Sequence, residues 1–224
     1  MLPVNEPEPG QVAEVGISIE SLMERASEAL TAGRYLESEQ LADEALHEAW
    51  KRGMYDMIAR ITLPLQEARR QRRLAAVESG KLFVVEEGEV IPGSDGSEMK
   101  CGCYVVMPPH VAADARQIRM NGLVQGVAVV ALSREPTTQA GLVPMAVVGP
   151  CPIRVRLKPV KEMTAEWCLD VIEALTEEAF LRIDRTRPVS KQVDFLMDFL
   201  DALPESEGLH QDLAATARKV GHSC

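Results

Sequence analysis

Cys101 and Cys103 stand one residue apart, just ahead of an apolar run and the segment PPHVAADARQ. Two thiols at that spacing can hold a metal, exchange with a disulfide, or fill a core. In a strand their side chains share one face, about 7 Å apart at Cα. A comfortable disulfide needs a Cα separation below about 6.8 Å. Zinc needs two further ligands, and Cys151 or Cys168 would have to supply them. No CxxC pair and no spaced histidine pair supports that. The expected role is therefore a buried strand with small thiols, with no metal and no cofactor.

A second group could bind or turn over an anion. PPHVAADARQ joins a strand to a helix, and LSREPTTQAG ends the next strand. If the two strands are parallel, both segments lie at their carboxyl ends, where open α/β sheets bind ligands. That edge gathers His110, Asp114, Arg134, Glu135, Thr137 and Thr138 as candidate ligand-binding residues. The Arg134 fork suits a carboxylate or phosphate. His110 and Glu135 could exchange protons with a substrate. The competing reading is a turn and an ordinary loop. GxGxxG, GxxxxGK[ST], GxSxG and HExxH are all missing, so catalytic residues stay unassigned.

Cations form two further patterns. In PIRVRLKP, Ile153, Val155 and Leu157 alternate with Arg154, Arg156 and Lys158, as on a strand with one basic face. Such a stripe either blocks edge-to-edge aggregation or meets an acidic partner. In EARRQRR, Arg69, Arg70 and Arg73 share one arc of a helix, read here as outward. They suit either a solvated basic end or an acidic-partner contact.

The elements that must position these groups follow from hydrophobic period. Ile19, Leu22, Met23, Ala26, Ala29 and Leu30 make one helical stripe over 19–32, with Ser18 as cap and Gly33 as stop. Ser38, Leu41, Ala42, Ala45 and Ala49 make a second over 35–50. Met54, Met57, Ile58, Ile61, Leu65 and Ala68 make a third over 54–77, with Pro64 predicting a kink. Beyond Ser79–Gly80 the pattern turns to strands: KLFVV, then about 101–107, 127–133, 142–149 and 153–158. A helix over about 112–125 makes one strand–helix–strand unit with a parallel pair. The later strands are too close together for crossovers and should be antiparallel. From Thr164 three more helices follow, which cover the sheet or rejoin the N-terminal hairpin.

ALTAGRYLESEQLADEAL resembles the centre of a tetratricopeptide repeat, and residues 19–52 have its 34-residue length. Leu22, Ala26, Gly33, Tyr35 and Ala45 stand where that pattern places large, small, glycine, aromatic and small residues. Ser38, Ala29 and Trp50 depart from it. The resemblance covers one repeat and implies a helical hairpin of a kind that binds peptides. Tyr35 and Trp50 would then be partner contacts beside Arg69, Arg70, Arg73, Arg154, Arg156 and Lys158.

The 224 residues are 46% apolar but only 4% aromatic, so the core must be mainly aliphatic. A net charge of −10 argues against general affinity for nucleic acid or anionic membrane. The expected architecture is mixed α/β. It comprises an acidic tail at 1–16, a repeat-like helical module at 17–78, and an α/β domain at 81–224. That domain holds the sheet at 81–160 and the helices at 163–221. MLPVNEPEPGQ lacks the pattern of a signal peptide, and five cysteines without framework spacing imply reducing, cytoplasmic surroundings. The leading functional expectation is a cytoplasmic interaction or regulatory protein with a protein partner and a non-catalytic α/β domain. Homo-oligomerisation is left open. The alternative is a small α/β enzyme or ligand-binding domain for an anionic metabolite at the loops 108–116 and 134–138.

Overall fold

The computed structural model describes residues 18–221. The acidic tail expected at 1–16 lies outside them. Seven helices and one five-stranded sheet make a mixed α/β fold among the described residues.

The first three helices are α1 (Ile19–Thr31), α2 (Tyr35–Lys51) and α3 (Tyr55–Glu78). The Ser18 hydroxyl accepts the Ser21 N–H at 3.1 Å and so caps α1. Gly33, at φ +73°, lets the chain turn back within three residues into α2. The stripes read from the sequence are the buried faces: Ile19, Leu22, Ala26 and Ala29 in α1, and Ser38, Leu41, Ala42, Ala45 and Ala49 in α2. In α3, Met57, Ile58, Ile61, Leu65 and Ala68 are buried, and the helix continues through Pro64 from Tyr55 to Glu78.

The sheet follows as β1 (Leu82–Val85), β2 (Gly102–Val106), β3 (Val129–Arg134), β4 (Val143–Val147) and β5 (Ile153–Leu157), ordered 1-2-3-4-5. The first three strands are parallel, and β4 and β5 add antiparallel. α4 (Ala112–Val124) connects β2 to β3 as the expected crossover. β1 also pairs parallel to β2, through the helix-free segment 86–101. That segment lies beside α4, where Asn121 Nδ2 donates to the Pro92 carbonyl and Met99 N donates to Gln125 Oε1, both at 2.8 Å.

Alternation splits the sheet into two faces. Tyr104, Val106 and Val129 join Ala115 and Ile118 of α4 in a small core. Cys103, Val105, Val130, Leu132, Met145 and Ile153 face the other way, into the main core. α5 (Trp167–Arg182), α6 (Val189–Ala202) and α7 (Glu207–Gly221) complete that core. α5 packs on β5, while α7 packs on both α3 and α6. The sheet is covered as expected, but the last helix returns to α3 and not to the α1–α2 hairpin. One apolar core holds residues from both sides of the boundary drawn near residue 80. Gly149 allows a close backbone approach: a Cβ there would meet the Ala202 backbone nitrogen at 2.8 Å.

Candidate functional site

The strand-end edge holds together only in part. β2 and β3 do end on the same side, as the parallel register requires. His110 rests on this edge, with Nε2 2.9 Å from the Glu86 carbonyl and Nδ1 3.7 Å from Asp114 Oδ2. Asp114 is committed to the helix, since its carboxylate accepts the Val111 N–H at 2.7 Å. Thr138 closes the β3–β4 turn, its hydroxyl accepting the Leu142 N–H at 3.0 Å.

Arg134 and Glu135 part company because successive strand residues point to opposite faces. Glu135 lies on the α4 face and binds Arg154 at 2.6 Å. There it lines a cleft of about 650 Å³ with Val111, Ala112, Ala113, Arg154 and Arg182. Arg134 pairs in register with Met145, on the face of the main core. Its Nη2 donates to Thr137 Oγ1 at 3.2 Å. Arg134 therefore does not reach the start of α4, and the expected His110–Arg134–Glu135 constellation does not assemble.

Arg134 has other company. It lines a pocket of about 200 Å³ with Lys158, Lys161, Val143, Met163 and Trp167. The lining carries three cations and no carboxylate. Lys158 falls just beyond the end of β5, so it leaves the Arg154–Arg156 stripe and turns to this pocket. α5 begins at Trp167, whose N–H donates to Thr164 Oγ1 at 3.2 Å. The positive end of that helix adds to the field.

The basic end of α3 needs correction. Arg69 and Arg73 do not face solvent; their side chains are 8% and 13% exposed. The physical reason is α7, which packs on the arc that the sequence reading left outward. Arg70 alone stays half-exposed, near Glu67 and Glu207. Arg73 Nη1 donates to the Glu205 carbonyl at 2.6 Å, and its Nη2 meets Glu207. Arg69 binds Glu39 at 3.2 Å and Asp43 at 2.6 Å.

At the centre lies Arg72, which the sequence reading passed over. Its side chain is 1% exposed and donates to Glu39 at 2.7 Å, to Glu205 at 3.0 Å, and to the Val129 carbonyl of β3. Burial by itself raises the Glu39 carboxyl, but Arg72 and Arg69 outweigh it and hold the group below its ordinary value. Burial likewise lowers Arg72, and Glu39 and Glu205 more than reverse that. His210 completes the cluster. Its Nδ1 is 2.6 Å from the Ser206 carbonyl and its Nε2 is 3.3 Å from Arg69 Nη1. A carbonyl only accepts and a guanidinium only donates, so Nδ1 carries the proton and the ring is neutral. Burial, with Arg69 beside it, pushes the His210 pKa down to about 3. The available signal was periodicity: Glu39 shares an arc with Ala42 and Leu46, and Arg72 with Leu65 and Ala76. A charge on an apolar stripe is a charge that folding buries.

The remaining predicted residues are placed as follows. Trp50 is turned inward, its indole N–H donating to Asp194 of α6 at 3.0 Å. Tyr35 is 36% exposed at the start of α2. Arg154 and Arg156 are exposed on the outer face of β5. Cys103 and Cys168 lie buried together, the Cys103 thiol reaching the Ala165 carbonyl at 3.8 Å and that of Cys168 the Thr164 carbonyl at 3.7 Å. Contact with Cys103 and burial push the Cys168 thiol well up. Among the described residues no group of three or more His, Cys, Asp or Glu is placed to hold a metal. No helix there is long and apolar enough to cross a membrane. Comparison with protein-family models, with curated proteins and with solved structures finds no match to this chain.

Proposed function

We propose that this chain is an interaction protein that takes an acidic segment of a protein partner at the pocket formed by Arg134, Lys158, Lys161 and Trp167. The observation that carries the reading is the lining of that pocket: three cations, no carboxylate, and an apolar floor of Val143, Met163 and Trp167. In a chain with net charge −10, such a patch is a local reversal of sign. Glu162 and Glu166 flank it in sequence without lining it. Complementary charge steers encounter and selects partners, and a buried apolar anchor supplies affinity. The partner segment therefore carries an apolar side chain for the Trp167 floor, with Asp or Glu on either side. Arg156, exposed on β5, points with Arg154 to the opposite face of the sheet and lies outside this pocket.

The enzyme alternative at the loops 108–116 and 134–138 is less well supported, because Arg134 turns away from that edge to the other face of the sheet. The tetratricopeptide-like hairpin is read as a brace for this platform, since Trp50 is tied to α6.

The test is selection from a random peptide library, followed by titration of the selected peptides. Enrichment of acidic sequences with one apolar anchor is expected, with affinity falling as salt rises. The double charge reversal Lys158→Glu, Lys161→Glu should abolish binding while circular dichroism stays unchanged, since both lysines are exposed. Selected peptides without acidic bias, or equal binding by the reversed variant, would overturn the proposal.

A further inference from the structure

On the far side of α4 lies a cleft of about 320 Å³, separate from the Trp167 pocket. α2 contributes one wall and α4 the other, bridged where Gln40 Nε2 donates to the Leu123 carbonyl at 3.2 Å. Arg69 of α3 and the α6–α7 junction, with Asp201 and Pro204, complete the lining. The volume is at the small end of the usual range for small-molecule sites, about 300–1,000 Å³.

Most of the charges that line this cleft are already paired. Arg69 holds Glu39 and Asp43. Arg116 holds Asp201 in a two-pronged pair at 2.9 and 3.1 Å. Two charges are not paired among the described residues. Arg119 of α4 is 8% exposed, and its single hydrogen bond runs from Nη2 to the Asp201 carbonyl at 3.1 Å. Glu205, the carboxylate whose field reaches Arg119, is bound by Arg72. A buried guanidinium without a carboxylate at ion-pair distance is costly, and arginines 69, 72 and 116 around it add to the cost. Glu44, exposed on the α2 wall, has no cation at ion-pair distance. In the same cleft α4 offers an apolar wall of Met120, Leu123 and Val124, with Met120 43% and Val124 82% exposed.

We infer that this cleft binds a small zwitterion of amino-acid size with an apolar side chain. The ligand carboxylate meets Arg119, its ammonium meets Glu44, and its side chain lies on Met120, Leu123 and Val124. A multiply charged anion is disfavoured, because Glu39, Asp43, Glu44 and Asp201 line the same space. A simple cation is disfavoured by Arg119. A ligand with both charges satisfies each unpaired group and leaves the internal pairs intact.

The experiment is calorimetric titration of the full chain with L-leucine, L-methionine and L-phenylalanine. The controls are 4-methylpentanoate, which lacks the ammonium, leucinamide, which lacks the carboxylate, and inorganic phosphate. Saturable binding of at least one amino acid is expected, with each single-charge analogue weaker by about tenfold. Arg119→Met should abolish the binding. Glu44→Gln should weaken the amino acid by about threefold, as for an exposed charge, and leave 4-methylpentanoate unchanged. If Arg119→Met fails to fold, Glu44→Gln and Met120→Glu carry the test, both at exposed positions. Absence of saturable binding by any of the three amino acids would overturn the inference. So would leucine binding no tighter than 4-methylpentanoate, or binding that Met120→Glu leaves unchanged.

Discussion

Arg72 of α3 and Glu39 of α2 meet at 2.7 Å, with 1% and 4% of their side chains exposed. The pair does more than join two helices. Arg72 also reaches Glu205 before α7 and the Val129 carbonyl in β3, so one guanidinium links the hairpin, the sheet and the C-terminal helices. A buried pair gains little over apolar packing, but removing one partner strands the other charge.

Arg72→Met should therefore destabilise the protein by about 3–5 kcal/mol, because Glu39 and Glu205 lose a shared buried cation. Urea unfolding measures this. The double variant Arg72→Met, Glu39→Met should recover part of the loss, and a worse double variant would contradict the account of a stranded charge.

Acid should weaken the fold in two stages. His210 has a folded pKa of about 3, below its ordinary 6.5. The unfolded chain therefore takes up a proton that the folded chain refuses between those values. The stability from a neutral His210 is full above about pH 6.5 and falls toward pH 3, by at most about 1.4 kcal/mol per pH unit. Glu39, lowered by Arg72 and Arg69 against burial, contributes stability above its ordinary 4.5 that is lost as pH falls through its folded value. His210→Gln should flatten the slope between pH 6 and 5 in unfolding measured at fixed ionic strength, and an unchanged slope would refute the neutral-ring assignment.

Gly33→Val should cost about 1–2 kcal/mol, since φ +73° forces a β-branched residue into the left-handed region. No heavy atom lies within 4 Å of the added Cβ, so the cost is conformational and not steric contact. Gly33→Asn, which tolerates that region better, should lose less in the same thermal unfolding assay.

Trp50→Phe should cost about 1 kcal/mol or more through the lost hydrogen bond to Asp194 and some packing. Hydrogen exchange should rise in both α2 and α6, which that bond connects. A rise in α2 alone would show that the hairpin is not braced by α6.

Cys103 and Cys168 should react last with a thiol reagent in the folded protein, after Cys101 and Cys151, because the first two are buried and the others only partly so. Cys103→Ala should cost about 1–2 kcal/mol in lost packing. Equal labelling rates for Cys103 and Cys101 would contradict the burial of Cys103 in the main core.

The sequence by itself determined the local elements. A period of 3.6 placed Ile19, Leu22, Ala26 and Ala29 on the buried side of α1, and a period of two sent Arg154 and Arg156 outward from β5. These follow from backbone geometry, which each segment carries alone. Likewise the two ends of α4 and the parallel β2–β3 pair were legible from strand–helix–strand order. Which of two polar faces meets another element is a different matter. Arg69 and Arg73 sit on an arc that looks solvated until α7, more than 130 residues away, covers it. Arg134 and Glu135 are neighbours in sequence, yet the pleat sends one to Lys158 and Trp167 and the other to Arg154. The site lining depends on contacts between distant segments, and only tertiary packing brings Arg119 of α4 and Glu44 of α2 to the same cleft.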